Sequence, residues 1–324
     1  MDKIRNISQK VAVPEKLILD MLFVLSDGSK VENNELIRKV GVSKNALNHV
    51  KAQLSEYLHK PSQHTQLSDK GVSFVRSLIS EGYASQDSMY KVFEGETYKK
   101  IVDLLIKHKD TRSTPKRQID QVFAIAETSA RKASLMNFLG DIDQKRTLML
   151  GDDDLVSIGV ASQMKAKSID VLDLDNDIIE TVRNIEKAEN YHINSTSYDA
   201  RNNLPNEFAG KFDVVFTDPP YTPEGVELFL SRAISALDPK NPTGRIYLCY
   251  GNSDNAKERF LLIYRAIVNS GLFIRFIFDK FNRYNGAESI GSTSSIFVLE
   301  RTPMTKPTIT GVYKKSIYST KNYE

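Results

Sequence analysis

Apolar runs of strand length alternate with helical patterns along the chain from Thr147 to Glu300. A parallel strand can reach its neighbour only through a long crossover connection, which is usually a helix. This alternation is therefore typical of a parallel sheet covered by helices on both faces. It restricts the second half of the chain to an α/β architecture.

The same region predicts seven strands, of which the last two are interpreted as an antiparallel pair. They lie at Thr147–Leu150, Ser168–Leu174, His192–Ser197, Phe212–Thr217, Gly244–Tyr250, Phe273–Phe278 and Ser295–Glu300. Helices are predicted at Leu155–Lys165, Asp177–Glu189, Glu224–Leu237 and Asn255–Ser270. We predict a Rossmann-like sheet of the class I methyltransferase type over residues 141–302.

Residues 1–95 predict a winged-helix-like N-terminal domain. A helical pattern covers Glu15–Ser26, and a helix-turn-helix pattern follows with Ser43 as the N-cap of a helix that runs to about Leu58. Gln66 to Gly71 resembles the strand-to-helix step of such domains. Ten acids against twelve bases over residues 1–90 give little non-specific attraction to DNA, so a scaffold or dimerisation role is favoured over DNA reading.

Two further segments complete the predicted organisation. Residues 96–140 form a helical linker, with helices at Glu96–Lys109 and Gln121–Leu139 around a polar, proline-containing stretch. The portion from Thr128 to Lys132 either lines a site or covers the sheet edge. Residues 303–324 predict an extended or partly disordered C-terminal tail.

Composition indicates the cellular compartment and the charge of the ligands that the protein binds. A single cysteine, Cys249, excludes an internal disulfide and a multi-cysteine metal site. The sequence lacks an apolar stretch of about 18 residues and a signal-peptide core at its start, so we expect a cytoplasmic protein without a membrane span. Between Asp141 and Lys240, nineteen acids face ten bases, which favours cationic ligands and disfavours phosphates.

The fourth predicted strand ends in Asp218-Pro219-Pro220-Tyr221-Thr222. Neither proline can donate to a strand ladder, so Asp218 lies at the carboxyl end of the strand, where open α/β sheets bind ligands. A carboxylate there can orient an amine and accept its proton. Tyr221 could attract a polyamine through a cation–π contact. Asp218 and Tyr221 are therefore the candidate catalytic residues.

The first strand leads into Gly151-Asp152-Asp153-Asp154. A dinucleotide-binding turn carries several glycines here, whereas three carboxylates repel pyrophosphate, so NAD and ATP are poor ligands. The acids suit the N-terminus of a helix and would attract a sulfonium or ammonium centre. We predict a donor-binding turn.

Acids also follow the next two strands. Asp175 is the first choice for the ribose hydroxyls of a nucleoside, with Asp173 in reserve, because a carboxylate accepts two hydrogen bonds. Asp199 is the candidate for an adenine amino group, although a turn-forming role explains it nearly as well. Together these sites predict adenosine without phosphates, carrying a positive sulfur.

Three motifs together resemble the branched-chain polyamine synthase family. They are Gly151–Ser157, Thr217–Thr222 and Phe281-Asn282-Arg283-Tyr284-Asn285-Gly286-Ala287, with a lead-in from Asp120-Gln121 to Arg131. The resemblance covers the whole chain. It implies transfer of aminopropyl groups from decarboxylated S-adenosylmethionine to the secondary amine of spermidine, with methylthioadenosine leaving.

The resemblance also implies roles for residues. Asp218 would be catalytic, and the loop acids Asp152, Asp153 and Asp154 would lie close to the donor. Substrate contacts are assigned to Asp153, Asp154 and the turn residues Pro219, Pro220, Tyr221 and Thr222. A homodimer is implied, and we predict no metal.

Two other functions fit parts of the pattern. One is an S-adenosylmethionine-dependent methyltransferase that acts on the exocyclic amine of a nucleic-acid base, which also uses an Asp-Pro-Pro-Tyr turn. The acidic loop opposes it, because full S-adenosylmethionine has a carboxylate and DNA binding needs a basic groove. The other is a transcriptional regulator that senses a nucleoside or polyamine and has no turnover.

Overall fold

A computed structural model describes residues 1–40, 42, 44–60, 63–80, 93, 95–251, 257–284 and 293–319. The chain divides into two compact units. The N-terminal unit comprises residues 1–94 with 138–140, and the sheet unit comprises residues 95–137 and 141–324. The domain boundaries predicted at residues 95, 140 and 302 stay predictions.

The N-terminal unit is helical with a small ribbon. Its elements are α1 (Asp2–Val11), α2 (Glu15–Val24), β1 (Val31–Glu32), α3 (Asn33–Val40), α4 (Lys44–Gln53), a 3-10 turn at Ser55–Tyr57, β2 (His64–Thr65) and α5 (Asp69–Ser80). β1 and β2 pair antiparallel. The winged-helix assignment stays a prediction, and its proposed N-cap, Ser43, lies outside the described residues.

The sheet unit is built on seven strands. They are β3 (Arg146–Leu150), β4 (Ser168–Asp173), β5 (Asn194–Ser197), β6 (Val214–Thr217), β7 (Arg245–Gly251), β8 (Phe273–Arg283) and β9 (Thr293–Glu300). Their spatial order is β5–β4–β3–β6–β7–β9–β8. The first five in this order are parallel, and β9 runs antiparallel to both of its neighbours. The predicted α/β sheet of class I methyltransferase type is confirmed.

Helices connect and cover these strands. They are α6 (Glu96–Lys107), α7 (Ala126–Phe138), α8 (Val156–Ala161), α9 (Asn176–Glu189), α10 (Pro223–Ala236) and α11 (Lys257–Asn269). All four residues of β6 are buried, as expected for a central parallel strand with helices on both faces. The start predicted for the last helix, at Asn255, lies outside the described residues.

The strand register decides where the site lies. Leu150, the last residue of β3, pairs with Leu172 on one side and with Thr217 on the other. The three strands therefore end at the same level. The residues that follow these paired positions, Gly151, Asp173 and Asp218, meet at one edge of the sheet.

The helix predicted over Gln121–Leu139 begins later, at Ala126. A short 3-10 helix covers Arg117–Ile119, and Asp120 then adopts a left-handed conformation with φ 61°. Ala124 forms an isolated bridge with Tyr284, and its N–H donates to Asp154 instead of to a helical carbonyl. The tertiary contacts of this segment thus override its helical periodicity.

Residues 303–319 form neither helix nor strand. Within this stretch Ile317 and Tyr318 are buried in the core of the sheet unit. Among the described residues, none of the helices has both the length and the apolar character needed to cross a bilayer.

Candidate active site

A cavity opens at the carboxyl ends of β3, β4 and β6, where the sequence predicted the site. It is lined by Ile119, Asp120, Gln121, Val122, Leu150, Gly151, Asp153, Leu172, Asp173, Leu174, Tyr198, Ala200, Asp218, Pro219, Pro220, Tyr221, Phe229 and Tyr318. Ligands of open α/β sheets bind at this edge. The cavity is therefore the candidate active site.

Asp218 leaves the sheet as the first residue after β6, and the two prolines behind it prevent the strand from continuing. Its Oδ2 accepts a hydrogen bond from the Tyr284 hydroxyl at 2.9 Å and one from Lys132 Nζ at 3.3 Å. Among the hydrogen bonds between described residues, none ends on Asp218 Oδ1. One carboxylate oxygen is thus held in place and the other remains for a ligand.

Lys132, on α7, is the cation of the site. Its side chain is 0% exposed and forms ion pairs with Asp154 and Asp218. Burial alone lowers the pKa of this amine, but the charges of the two carboxylates outweigh burial and hold the pKa well above its ordinary value. Lys132 is therefore a permanent positive charge beneath the carboxylates.

The carboxyl group of Asp218 has a raised pKa. Burial is the largest cause; the Lys132 charge opposes it, and the neighbouring Asp154 adds to it. A carboxylate with a raised pKa binds a proton more readily than an ordinary aspartate. This property suits a residue that accepts a proton from an amine.

The three carboxylates of the acidic turn have different surroundings. Gly151 makes the turn possible with φ 79°, a left-handed conformation that favours glycine. Asp152 is buried and accepts hydrogen bonds from the N–H of Ser157 at 3.2 and 3.3 Å, so its side chain serves the start of α8. Asp152 is not among the residues that line the cavity.

The other two acids of the turn also differ from each other. Asp153 lines the cavity, and burial together with the charges of Asp154 and Asp218 raises its pKa well above the ordinary value. Asp154 does not line the cavity: its carboxylate binds Lys132 and accepts a hydrogen bond from the N–H of Ala124 at 2.6 Å. Of the three predicted donor contacts, the structure brings only Asp153 to the cavity.

The two acids at the end of β4 differ in their surroundings. Asp173 lines the cavity, and its two oxygens accept hydrogen bonds from the N–H groups of Asp152 and Asp175, both at 2.8 Å. The side chain of Asp175, the first choice from the sequence, is fully buried and does not line the cavity. It is paired with Lys116 and accepts a hydrogen bond from Gln121. It also caps the N-terminus of α9.

Asp199 is not part of the cavity wall, although its neighbours Tyr198 and Ala200 are. Its carboxylate forms an ion pair with Arg201 at 2.8 Å and accepts a hydrogen bond from the Arg201 N–H. The turn-forming role left open by the sequence is the one that the structure displays.

The prolines and Tyr221 of the Asp-Pro-Pro-Tyr-Thr turn line the cavity as predicted. Burial and the nearby carboxylates raise the pKa of Tyr221 well above 10.0, so its ring stays neutral. Thr222 does not line the cavity. Its hydroxyl caps α10 by accepting from the Gly225 N–H and donates to the Ile317 carbonyl at 2.6 Å.

Two contributors had no role in the sequence analysis. Tyr284 belongs to the third motif, and its buried hydroxyl reaches Asp218, while the Asn285-Gly286-Ala287 part of that motif lies outside the described residues. Asp120, in the predicted lead-in, accepts from the Tyr221 N–H at 3.2 Å. The sequence signal for both residues was their place within the quoted motifs. Their hydrogen-bond partners are distant in sequence, so no local pattern predicts these contacts.

The lining of the cavity combines apolar and charged residues. The apolar residues lining it pack with the main core of the sheet unit: Leu150, Leu172, Leu174, Tyr198, Ala200, Phe229, Tyr318 and Ile119. The charged residues of the lining include Asp153, Asp173 and Asp218, and Tyr221 packs against Val122 and Tyr284. A ligand that fits such a cavity combines an apolar part with a cationic part.

No group of three or more His, Cys, Asp or Glu side chains in the described part of the chain has an arrangement that could hold a metal ion. The prediction that no metal participates stays a prediction.

Comparison with known proteins gives the family. Residues 100–323 match the family model described as the branched-chain polyamine synthase A C-terminal domain. The chain belongs to the branched-chain polyamine synthase family. The resemblance predicted from the three motifs, and with it the enzyme class of a transferase in polyamine synthesis, is confirmed.

Relatives within this family are known in archaea and bacteria. An uncharacterised protein of Methanocaldococcus jannaschii is 31% identical over 303 residues, which cover 90% of this chain and 76% of that protein. The N(4)-bis(aminopropyl)spermidine synthase of the same organism is 32% identical over 71% of this chain and 66% of its own length. The enzyme of that name from Thermococcus kodakarensis is 32% identical, over 53% of this chain and 49% of its own.

The fold is shared along nearly the whole chain. The branched-chain polyamine synthase from Thermus thermophilus, solved in complex with N4-aminopropylspermidine and 5'-methylthioadenosine, superposes with a TM-score of 0.62 at 18% identity. The match covers 98% of this chain and 96% of that one. Family and fold together imply a co-substrate of the decarboxylated S-adenosylmethionine type.

Proposed function

We propose that this protein transfers aminopropyl groups from decarboxylated S-adenosylmethionine to the secondary amine of spermidine, forming branched polyamines and releasing 5'-methylthioadenosine. One observation carries the proposal: at the end of β6, Lys132 and Tyr284 both bind Oδ2 of Asp218, and no described residue binds Oδ1. Oδ1 is thus available to an amine bound in the cavity.

The donor fits the mixed lining of the cavity. Its adenosine part is proposed to pack on the apolar residues, with Asp173 at the end of β4 accepting hydrogen bonds from the ribose hydroxyls. Its sulfonium and aminopropyl ammonium would then lie near Asp153. A cation beside this carboxyl group opposes the burial and the like charges that raise its pKa, so the donor favours the ionised form that is complementary to it. This arrangement transfers the predicted ribose contact from Asp175 to Asp173.

The acceptor must lose a proton before it can attack. An alkylamine has a pKa of about 10, so at neutral pH the secondary nitrogen of spermidine is protonated and has no free electron pair. Asp218 accepts that proton. The freed nitrogen forms a bond to the aminopropyl carbon next to sulfur, and the breaking C–S bond leaves its electron pair on sulfur as neutral methylthioadenosine.

A second transfer follows the same path. The first product is a tertiary ammonium with one proton on the branched nitrogen. Once Asp218 has released its first proton to solvent, it can accept this one, and a second aminopropyl group then gives a quaternary nitrogen. A quaternary nitrogen has neither a proton nor a free pair, so the sequence of transfers ends there.

Three groups adapt Asp218 to accept a proton from the amine. Lys132 lowers the pKa of a carboxyl group whose burial would otherwise keep it protonated. The Tyr284 hydroxyl fixes the carboxylate by donating to Oδ2. The ring of Tyr221, close to both Asp218 and Asp153, offers a neutral aromatic face to the cationic polyamine.

Mass spectrometry of the reaction products tests the proposal. Purified enzyme is incubated with spermidine and either decarboxylated or full S-adenosylmethionine. We expect spermidine carrying one and two additional aminopropyl groups, with the decarboxylated donor only. A methylated product formed from the full donor would contradict the proposal and favour an amine methyltransferase.

A homodimer, a cytoplasmic location and the absence of nucleic-acid binding belong to the same proposal. Light scattering of the purified protein measures the oligomeric state. A gel shift at moderate salt measures nucleic-acid binding, and a salt-sensitive complex with DNA would contradict the proposal on that point.

A further inference from the structure

A β-bulge interrupts β8 shortly before the strand ends. The register against β9 shifts between Phe278 and Asn282, where three residues of β8 (279–281) stand opposite the single residue Ser295. Lys280, in the middle of this bulge, has φ 51°, a left-handed conformation. Among the eleven residues of β8, all of which are described, only Asn282 is buried. Bulges beside active sites commonly re-aim a side chain, and this one turns the Asn282 amide into the sheet unit.

The buried side chains that follow the bulge form a hydrogen-bonded chain that ends on Asp218. Asn282 Nδ2 donates to Ser294 Oγ at 2.7 Å. The same Ser294 oxygen lies 2.8 Å from the Tyr284 hydroxyl, which donates to Asp218 Oδ2 at 2.9 Å. Asn282 and Ser294 are 0% exposed and Tyr284 is also buried, so solvent does not compete for these hydrogen bonds.

The groups at the two ends determine the direction of each hydrogen bond. An ionised carboxylate only accepts, so the proton of the Tyr284 hydroxyl points to Asp218. An amide nitrogen only donates, so Ser294 Oγ accepts from Asn282. Among the hydrogen bonds between described residues, the Ser294 proton has the Tyr284 oxygen as its one acceptor. All three groups therefore donate in the same direction, toward Asp218.

We propose that Ser294 is a positioning residue for Asp218, oriented by Asn282, and that it acts by holding the Tyr284 hydroxyl as a donor to Oδ2, so that Oδ1 accepts the proton of the amine. This inference rests on the proposed function, because it takes Asp218 to be the base. It also gives Asn282 and Tyr284, both in the third sequence motif, a shared role.

The chain should change the protonation of Asp218 through its last hydrogen bond. A hydroxyl that accepts a hydrogen bond is itself a better donor, by about 10–30% per bond. The hydrogen bond from Tyr284 lowers the pKa of Asp218 against burial. Loss of the Ser294 hydroxyl should weaken this bond and raise that pKa. The ionised base would then appear at higher pH, and the rising limb of kcat would move with it.

The other titratable groups that act on Asp218 come from α7, the turn after β3, the turn after β6, and β7. They are Lys132, Asp153, Asp154, Tyr221 and Cys249. Substitutions within the chain leave all of these side chains in place. A shift of the pH profile that also depends on the Tyr284 hydroxyl can therefore be attributed to the chain.

A double-mutant cycle tests the inference. The kcat for spermidine and decarboxylated S-adenosylmethionine is measured from about pH 5 to about pH 9 in full-length wild type, Ser294→Ala, Tyr284→Phe and the double variant. On the rising limb we expect Tyr284→Phe to lose roughly 10-fold or more, and Ser294→Ala roughly 2- to 5-fold. Both losses should disappear at high pH. In the Tyr284→Phe background, Ser294→Ala should change kcat by less than about 1.5-fold.

Two further measurements separate positioning from folding. Ser270→Ala is the matched control, because this equally buried hydroxyl donates to the Ala266 carbonyl at 2.8 Å at the end of α11. Its pH profile should coincide with that of wild type. Affinity for 5'-methylthioadenosine, measured by calorimetry, should be the same in wild type and Ser294→Ala. Asn282→Leu, which lacks the amide donor, should shift the rising limb in the same direction as Ser294→Ala.

The outcomes distinguish this inference from the proposed function. An equal loss from Ser294→Ala in both backgrounds, a loss that is the same at every pH, or weaker methylthioadenosine binding would show a structural role and overturn the inference. An unchanged profile in Ser294→Ala would overturn it as well, and one in Asn282→Leu would remove Asn282 from the chain. If wild type itself transfers no aminopropyl group, the proposed function fails, and this inference with it.

Discussion

Lys132 Nζ lies 3.3 Å from Asp218 Oδ2, and both groups are buried at the end of β6. An isolated buried carboxylate would be protonated and an isolated buried amine neutral. Together with Asp154, which also binds Lys132, they form a compact ionic cluster in which one cation serves two anions. This cluster sets the protonation state of the proposed base.

Replacement of Asp218 by Asn is expected to abolish proton acceptance while keeping the shape of the turn. Turnover should fall by roughly 100-fold or more, and affinity for 5'-methylthioadenosine should be unchanged. Product formation measured by mass spectrometry and calorimetric binding give the two values. Asp103→Asn on the exposed face of α6 is the control. Near-wild-type turnover in Asp218→Asn would remove its role as base.

Lys132→Met should shift the pH dependence of turnover. Without the cation the pKa of Asp218 rises further, so the ionised base appears only at higher pH and the rising limb of kcat should move up by about 1–3 pH units. The unpaired carboxylates should also lower the free energy of unfolding by about 3–5 kcal/mol.

A companion variant separates the catalytic effect of Lys132 from its effect on stability. Lys132→Met combined with Asp154→Asn removes a whole ion pair and should recover part of the lost stability. The rising limb of its pH profile should still lie at higher pH than in wild type, because the Lys132 charge that lowers the pKa of Asp218 has a larger effect than the Asp154 charge that raises it. Profiles that coincide with wild type in both variants would contradict this role of Lys132.

The acids of the turn should differ in donor discrimination. Asp153→Asn removes the charge at the cavity wall, and we expect the preference for decarboxylated over full S-adenosylmethionine to fall by roughly 10-fold, since a like-charge contact of about 1.4 kcal/mol is lost. Asp154→Asn should lower kcat through Lys132 without a similar change in preference. Discrimination is measured as the ratio of the kcat/KM values for the two donors. Equal ratios in wild type and Asp153→Asn would contradict a role of the Asp153 charge in donor preference.

Asp173, the last residue of β4, and Asp175, two residues later, allow a comparison of two matched variants. Asp173→Asn should weaken methylthioadenosine binding by roughly 10-fold or more, because the amide nitrogen cannot accept a hydrogen bond from ribose. Asp175→Asn changes a side chain that does not line the cavity and is paired with Lys116, so it should retain the affinity. Calorimetry measures both, and a larger loss in Asp175→Asn would restore the assignment made from the sequence.

Asp152 should make stability depend on pH. Burial is the main cause that raises its pKa from 3.8 to about 7. A carboxyl group with a raised native pKa contributes stability below its unfolded pKa and loses that contribution as pH rises through the native value. Wild type should therefore become less stable between about pH 4 and 7 through this group.

Asp152→Asn can still accept the hydrogen bond from Ser157 and has no charge to bury. We expect it to be more stable than wild type at about pH 8, by up to about 4 kcal/mol at ~1.36 kcal/mol per pKa unit, and similar at about pH 4. Urea unfolding at the two pH values provides the comparison. A constant difference across this range would show that Asp152 titrates at its ordinary pKa.

Local sequence determined the architecture of the sheet unit. The alternation of strand and helix patterns predicted all seven strands, because the pattern of each segment depends on its own residues. It also placed Asp218 at a strand end, since two consecutive prolines must end a strand wherever it lies. The three motifs were sufficient to predict the family.

The tertiary structure alone decided what each carboxylate does. Asp152, Asp153 and Asp154 are chemically identical neighbours, yet one serves a helix, one lines the cavity and one is neutralised by Lys132. Likewise Asp173 lines the cavity whereas Asp175, the first choice from the sequence, does not, and the C-terminal segment brings Tyr318 to the cavity wall. The direction of a side chain at a strand end depends on partners far away in sequence, and these partners meet only when the sheet has formed.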